Sequence, residues 1–175
     1  MKNPKNILLL AFVAFGCVAT VQAQDTRASA VAGMRKVEPK EMDPSFTNAA
    51  PMAQKLVDEA LASHREVILM AIHGGAPKYD IIASNFGRIG KLGDEDDLRC
   101  IHTGKNNLEV DKTGAHFEAE VPLRDKKDRI VGALGVVFNY KPGDDKATNE
   151  RIAAEIANHM AARISSAKGL FGAAK

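Results

Sequence analysis

The run Arg129–Tyr140, RIVGALGVVFNY, most narrows what this chain can fold into. Read as a strand, it places Leu134, Val136, Phe138 and Tyr140 on one face and Val131, Ala133, Gly135 and Val137 on the other, because side chains alternate along extended backbone. With both faces apolar, it belongs in the middle of a sheet that is covered on both sides. The preceding HFEAEVPL alternates instead, with Phe117, Ala119, Val121 and Leu123 on one face and His116, Glu118 and Glu120 on the other. One face is buried, and the other is polar or ligand-facing. The two glutamates at i and i+2 read as an ordinary solvated sheet face. RDKKD between the two runs is a polar turn.

The other elements follow from the same reasoning. Pro51 suits the first turn of a helix in which Met52, Ala53, Leu56, Val57, Ala60 and Leu61 recur at three-to-four spacing through about Ser63. EVILMAIHG and YDIIASN are strand-like runs joined by the turn signal Gly74-Gly75-Ala76-Pro77. In GDEDDLRCIHTGK, Asp94 to Asp97 crowd the positive end of a short helix and Gly104 follows its exit. The acidic run lacks the alternating ligand spacing and glycine of a calcium loop. Leu108 to Asp111 make a brief strand. Asp144 or Asp145 caps a last helix in which Ile152, Ile156, Met160 and Ile164 form an i, i+4 stripe. The order is helix, two strands, short helix, three strands, helix, which defines an α+β domain with an antiparallel sheet.

At the N-terminus, a basic start (MKNPKN), an apolar run (ILLLAFVAFG) and small residues ending at Val21-Gln22-Ala23 make residues 1–23 a secretory signal, cut after Ala23. The apolar run is about half of what a bilayer span needs. Lipidation at Cys17 is disfavoured by the residues before it. Residues 24–46 mix charges, Pro39, Pro44 and small residues without a period and read as a flexible leader, with the domain over 47–166 and a disordered tail over 167–175. Loss of the signal removes Lys2 and Lys5 and no acid, so acidic and basic residues balance. That balance, without any Lys/Arg block, excludes a nucleic-acid-binding surface. Cys100 is then the sole thiol, so the fold holds by packing, without an internal disulfide or a multi-cysteine metal site.

The strand pair EVPLRDKKDRIVGALGVVFNY, preceded by YDIIASN and the acidic short helix, resembles the extracytoplasmic sensor domains of the Cache type, over roughly residues 50 to 165. The resemblance implies a PAS-like fold: a long N-terminal helix, about five antiparallel strands, a short inter-strand helix and a C-terminal helix. It also implies that a small organic acid, amino acid or similar metabolite binds between the sheet and the segments crossing it. Two departures stand out: Asp128 replaces the usual turn glycine, and no second membrane helix or output domain accompanies the domain. A stand-alone periplasmic form would relay its message to a membrane receptor, or pair with a second copy.

His73 before the glycine turn, and Tyr79 and Asp80 after it, are polar groups where glycines let a ligand approach the backbone. Asn85 and Arg88, with Lys91, sit in the loop SNFGRIGKLGDE, where a guanidinium can clamp a carboxylate. His73, Tyr79, Asp80, Asn85 and Arg88 are therefore the candidate ligand contacts. The five histidines form no HExxH pair and no CxxCH, so no metal or cofactor is expected, an axial histidine for haem being the minor alternative. Cys100 and His102 lie at i and i+2 of one helix and point apart. No serine elbow, phosphate loop or dinucleotide fingerprint occurs, so the expected function is metabolite binding without catalysis, with a ligand-free interaction module as its rival.

Overall fold

In the computed structural model, residues 27–172 are described; the expected signal segment, residues 1–23, lies outside them. Five strands form one antiparallel sheet: β1 (Val67–Gly74), β2 (Asp80–Ser84), β3 (Asn107–Val110), β4 (His116–Arg124) and β5 (Ile130–Asn139), in the PAS-like order β2-β1-β5-β4-β3. The four principal helices are α1 (Pro51–Ser63), α2 (Glu95–Thr103), α3 (Lys146–Ala161) and the short α4 (Ala167–Phe171). The α+β architecture expected from the sequence is the one observed.

The apolar run lies at the centre of the sheet, between β1 and β4. In the β4–β5 register Phe117 faces Phe138 and Val121 faces Leu134; these residues join Met70 and Ile72 of β1 in the main core. Two helices cover that face. α1 contributes Ala53, Leu56, Val57 and Leu61, and α3 contributes Ala153, Ile156, Ala157 and Met160. Ile156, Met160 and Ile164 of the i, i+4 stripe are buried and Ile152 packs partly against the core, so the stripe that would have served a docking face is spent inside the molecule.

Local chemistry sets the ends of these elements. Asp94 accepts hydrogen bonds from the backbone N–H of Asp96 and Asp97, the Asp97 carboxylate reaches back to Asp94 N, and Gly104 closes α2 in the left-handed region at φ 66°. Asp145 caps α3 by accepting from Ala147 N. In the β4–β5 turn Asp128 takes φ 62°, a conformation that aspartate tolerates better than most residues, so the missing glycine does not break the hairpin.

Two segments without apolar period also take on structure. Residues 27–33 are helical, Met42 bridges to Lys91, and Asp43 N donates to Gly90 O at 2.7 Å. Arg27 donates to the carbonyls of Leu61 and His64 at the end of α1 and of Val67 at the start of β1, at 2.9 to 3.0 Å. At the other end of the chain, Leu170 of α4 is fully buried. No described helix is long and apolar enough to cross a membrane.

Phe117→Ala is expected to lower the free energy of unfolding by about 3–5 kcal/mol, as for other large aromatic deletions from a core. Leu108→Ala, on edge strand β3 and 44% exposed, should change it by less than about 0.5 kcal/mol. Denaturant melts of the two variants read the contrast; equal effects would mean that the core is not centred on β4 and β5.

Candidate functional site

The sheet face opposite α1 and α3 is only partly covered. A cavity of about 740 Å³ lies over it, lined by Leu69, Ala71 and His73 of β1, Glu118 and Glu120 of β4, and Gly135 and Val137 of β5. Asp97 of α2 and its N-cap Asp94, Phe86, Arg88 and Lys91 of the loop between β2 and α2, and residues between Ser29 and Arg35 of the N-terminal segment close its sides. Small residues on the central strands make the space. Glu120 pairs across with Gly135, and a Cβ at Gly135 would sit 3.0 Å from Glu118 Oε1.

The floor is acidic. His73 is buried on β1, its Nδ1 3.3 Å from both the Tyr79 carbonyl and Asp97 Oδ2. Asp97 Oδ2 also accepts from Asp94 N at 2.8 Å. Glu120 is buried beside them, and its Oε1 has no hydrogen-bond partner. Lys91 lies near the carboxylates, but its ammonium is held by Asp94 Oδ2 at 3.3 Å and the Leu92 carbonyl at 3.4 Å.

These surroundings shift the acidities. Burial, reinforced by the Asp97 carboxyl and then by Glu118 and Asp94, holds the Glu120 carboxyl far above the ordinary carboxylate range. Glu118, on the cavity wall but still exposed to solvent, is raised by its partly enclosed surroundings and by the negative charges of Asp97, Asp94 and Glu109, with Lys91 opposing. Burial holds the His73 imidazole below its ordinary value, against the pull of Asp97. The floor therefore carries a neutral imidazole, and a carboxyl that keeps its proton unless a cation replaces it. Cys100 is fully buried, its thiol donates to the Glu120 carbonyl at 3.7 Å, and burial pushes its pKa up to about 12. That is the state of an inert core thiol.

Of the five residues expected at a site, the structure brings two to the cavity, His73 and Arg88. Arg88 has φ 61°, lies over the Phe86 ring at 5.9 Å and donates to the Arg35 carbonyl. Tyr79, at φ 50°, turns its ring edge-on to His102, with 6.0 Å between the ring centroids. Asp80 begins β2 with Oδ1 buried and unpaired; burial and the neighbouring Asp43 carboxylate push it up to about 6, against Lys78. Asn85 accepts from Met70 N and donates to the Ile68 carbonyl, both at 2.9 Å, extending the edge of β1. Tyr79, Asp80 and Asn85 are not among the cavity's lining residues.

Sequence reasoning missed Asp97, Glu118 and Glu120 as site residues. The alternation of β4 shows that the two glutamates share a face, and β5 beside them is apolar on that same face. That neighbour was the available signal that their face is partly covered, burying Glu120 while Glu118 stays exposed.

No family model matches the chain, and no curated protein matches it. Among solved structures it is similar to a protein described as a GAF sensor from Burkholderia vietnamiensis, at 12% identity over 91% of this chain and 94% of that one, TM-score 0.48. A GAF domain of A. aeolicus nlh2 in an inactive state compares at 13% identity, 89% and 96% coverage and TM-score 0.48. The reduced form of fRMsr from Staphylococcus aureus compares at 11% identity, 87% and 94% coverage and TM-score 0.48. Likeness of this size assigns neither family nor activity.

The buried carboxyl yields a pH prediction. A carboxyl whose folded pKa lies above its unfolded value near 4.5 leaves full stability below that pH, and stability falls as pH rises towards the folded value. The slope is about 1.4 kcal/mol per pH unit. Glu120→Gln, which cannot ionise, should melt several degrees above the natural protein at about pH 7.5 in chelator-containing buffer. The difference should vanish below pH 4.5. Thermal melts across pH measure it, and superimposable curves would place Glu120 in water.

Proposed function

We propose that this protein is an exported binding domain, a sensor or binding accessory of the Cache type, which takes a small polar metabolite, chiefly a carboxylate, into the cavity over the sheet. The cavity of about 740 Å³ carries this reading. Its size lies within the range of small-molecule sites, about 300–1,000 Å³, and it combines the apolar wall of Leu69, Ala71 and Val137 with charged groups at defined positions.

Charge is unevenly distributed around it. The floor holds Asp97, Glu118 and Glu120, whereas Arg35, Arg88, Lys91 and Lys112 stand among the lining residues around it. A metabolite carboxylate is best received by the Arg88 guanidinium, which can offer parallel N–H donors, while the floor selects a group that donates protons or carries positive charge. The N-terminal segment from Ser29 to Arg35, which lines the cavity, supplies a wall through which occupancy can be passed to a partner. A membrane receptor or a second copy is the partner this reading calls for. Export rests on the signal-like residues 1–23.

A thermal-shift screen of the purified protein against carboxylates, amino acids and haem tests it. A ligand at 100 times its dissociation constant adds about 2.7 kcal/mol, several degrees for a domain of this size. A carboxylate hit should weaken at least about tenfold in Arg88→Ala, the loss of one charge-assisted contact. A flat screen would overturn the binding reading, and a hit indifferent to Arg88 would move the carboxylate elsewhere in the cavity.

A further inference from the structure

His73, Asp97 and Glu120 come from β1, the first turn of α2 and β4, and are 6%, 6% and 4% exposed. One ring nitrogen of His73 and one oxygen from each carboxyl all lie within 4.8 Å of one another, the one such cluster of metal-ligating side chains among the described residues. Residues this buried are ordinarily fully partnered, yet Glu120 Oε1 has no partner and Glu120 lines the cavity. The residue whose oxygen lacks a partner thus borders space that an ion can enter.

We propose that His73, Asp97 and Glu120 bind one divalent first-row transition-metal ion, Mn²⁺, Fe²⁺ or Zn²⁺, at the floor of the cavity, leaving at least one coordination position open to it. The site goes beyond metabolite binding and does not depend on it.

The donor set points to this class of ion. Imidazole nitrogen suits zinc and iron, carboxylate oxygen suits manganese, and the mixture suits all three. Calcium, which takes six to eight oxygens, is poorly matched by three donors of which one is nitrogen. Donors at about 2.1 Å from a tetrahedral ion stand about 3.4 Å apart, a spacing compatible with three ligand atoms that all lie within 4.8 Å of one another.

The surroundings are those of a supported site. Asp97 Oδ2 accepts from Asp94 N at 2.8 Å, which fixes that carboxylate. Metal-ligating carboxylates characteristically have such partners. Lys91, the nearby ammonium, is engaged by Asp94 and the Leu92 carbonyl, and so leaves the Glu120 oxygen free. Three protein ligands, rather than four, leave the metal accessible from the cavity.

Calorimetric titration with Mn²⁺ or Zn²⁺ of purified protein stripped with chelator tests the site, alongside the visible absorption of added Co²⁺. One ion per chain is expected, with the d–d bands of a cobalt centre having nitrogen and oxygen ligands. Glu120→Gln and His73→Gln should each weaken it at least about 100-fold, beyond the range for loss of a supporting contact, whereas Cys100→Ser should bind as the natural protein does. Melting of Glu120→Gln in chelator, at or above the natural temperature, shows that loss of binding is not loss of fold. Absence of binding at millimolar metal, binding unchanged in both variants, or Glu120-dependent stabilisation by organic amines but not by metals would each overturn the proposal. Because the metal alone is the probe, none of these results decides whether a metabolite binds.

Discussion

The structure depends on a strand that water cannot be allowed to reach from either side. β5 is apolar on both faces, and a central strand of this kind holds only if two layers are packed on it. α1 and α3 form the first layer with a continuous aliphatic seam around Leu134, Val136 and Phe138. The second layer is pieced together from α2, the loop from Phe86 to Lys91 and the N-terminal segment, tied down by backbone hydrogen bonds and by Arg27 on the end of α1. This layer is too sparse to fill the space above the sheet, and the cavity is what it leaves uncovered.

The sparseness explains why the acidic residues can be where they are. On a sheet with a well-packed second layer, Glu118 and Glu120 would be intolerable, and on an open sheet they would be unremarkable. Here Gly135 across from Glu120 gives the carboxyls room, and α2 brings Asp97 over them because its capping box turns that side chain back towards the sheet. The cap that starts the helix and the cluster at the cavity floor therefore share a carboxylate.

How much of this was legible in the sequence follows from which signals are local. Periodicity revealed the element types and their order, because an amphipathic stripe such as Ile156, Met160 and Ile164 reports its own burial. The helical residues 27–33 and α4 carry no such stripe; long-range contacts, the Arg27 guanidinium in one and Leu170 in the other, hold them. In the candidate site, nearness to glycine drew attention to His73, which lines the cavity, and equally to Tyr79 and Asp80, which do not; the loop polarity did the same for Asn85. Proximity to a turn does not reveal which way a side chain faces: Asn85 turns inward to bond the edge of β1. The glutamates show the complementary limit. Alternation assigns them to a face, and only the strand beside them tells what lies over that face.

A buried group of acids around a neutral imidazole has two ways to satisfy its charge. It can retain a proton, as the raised pKa of Glu120 requires when no cation is present, or it can exchange that proton for a metal ion, which then binds more tightly as pH rises. The two states use the same oxygen atoms and exclude one another. With its proton retained, Glu120 can hydrogen-bond the neighbouring Asp97 carboxylate. A metal ion would replace that proton between the two carboxyls and His73, at the floor of the same cavity that Arg88 borders. In that arrangement a carboxylate entering the cavity would meet a guanidinium on one side and an open metal position at the floor.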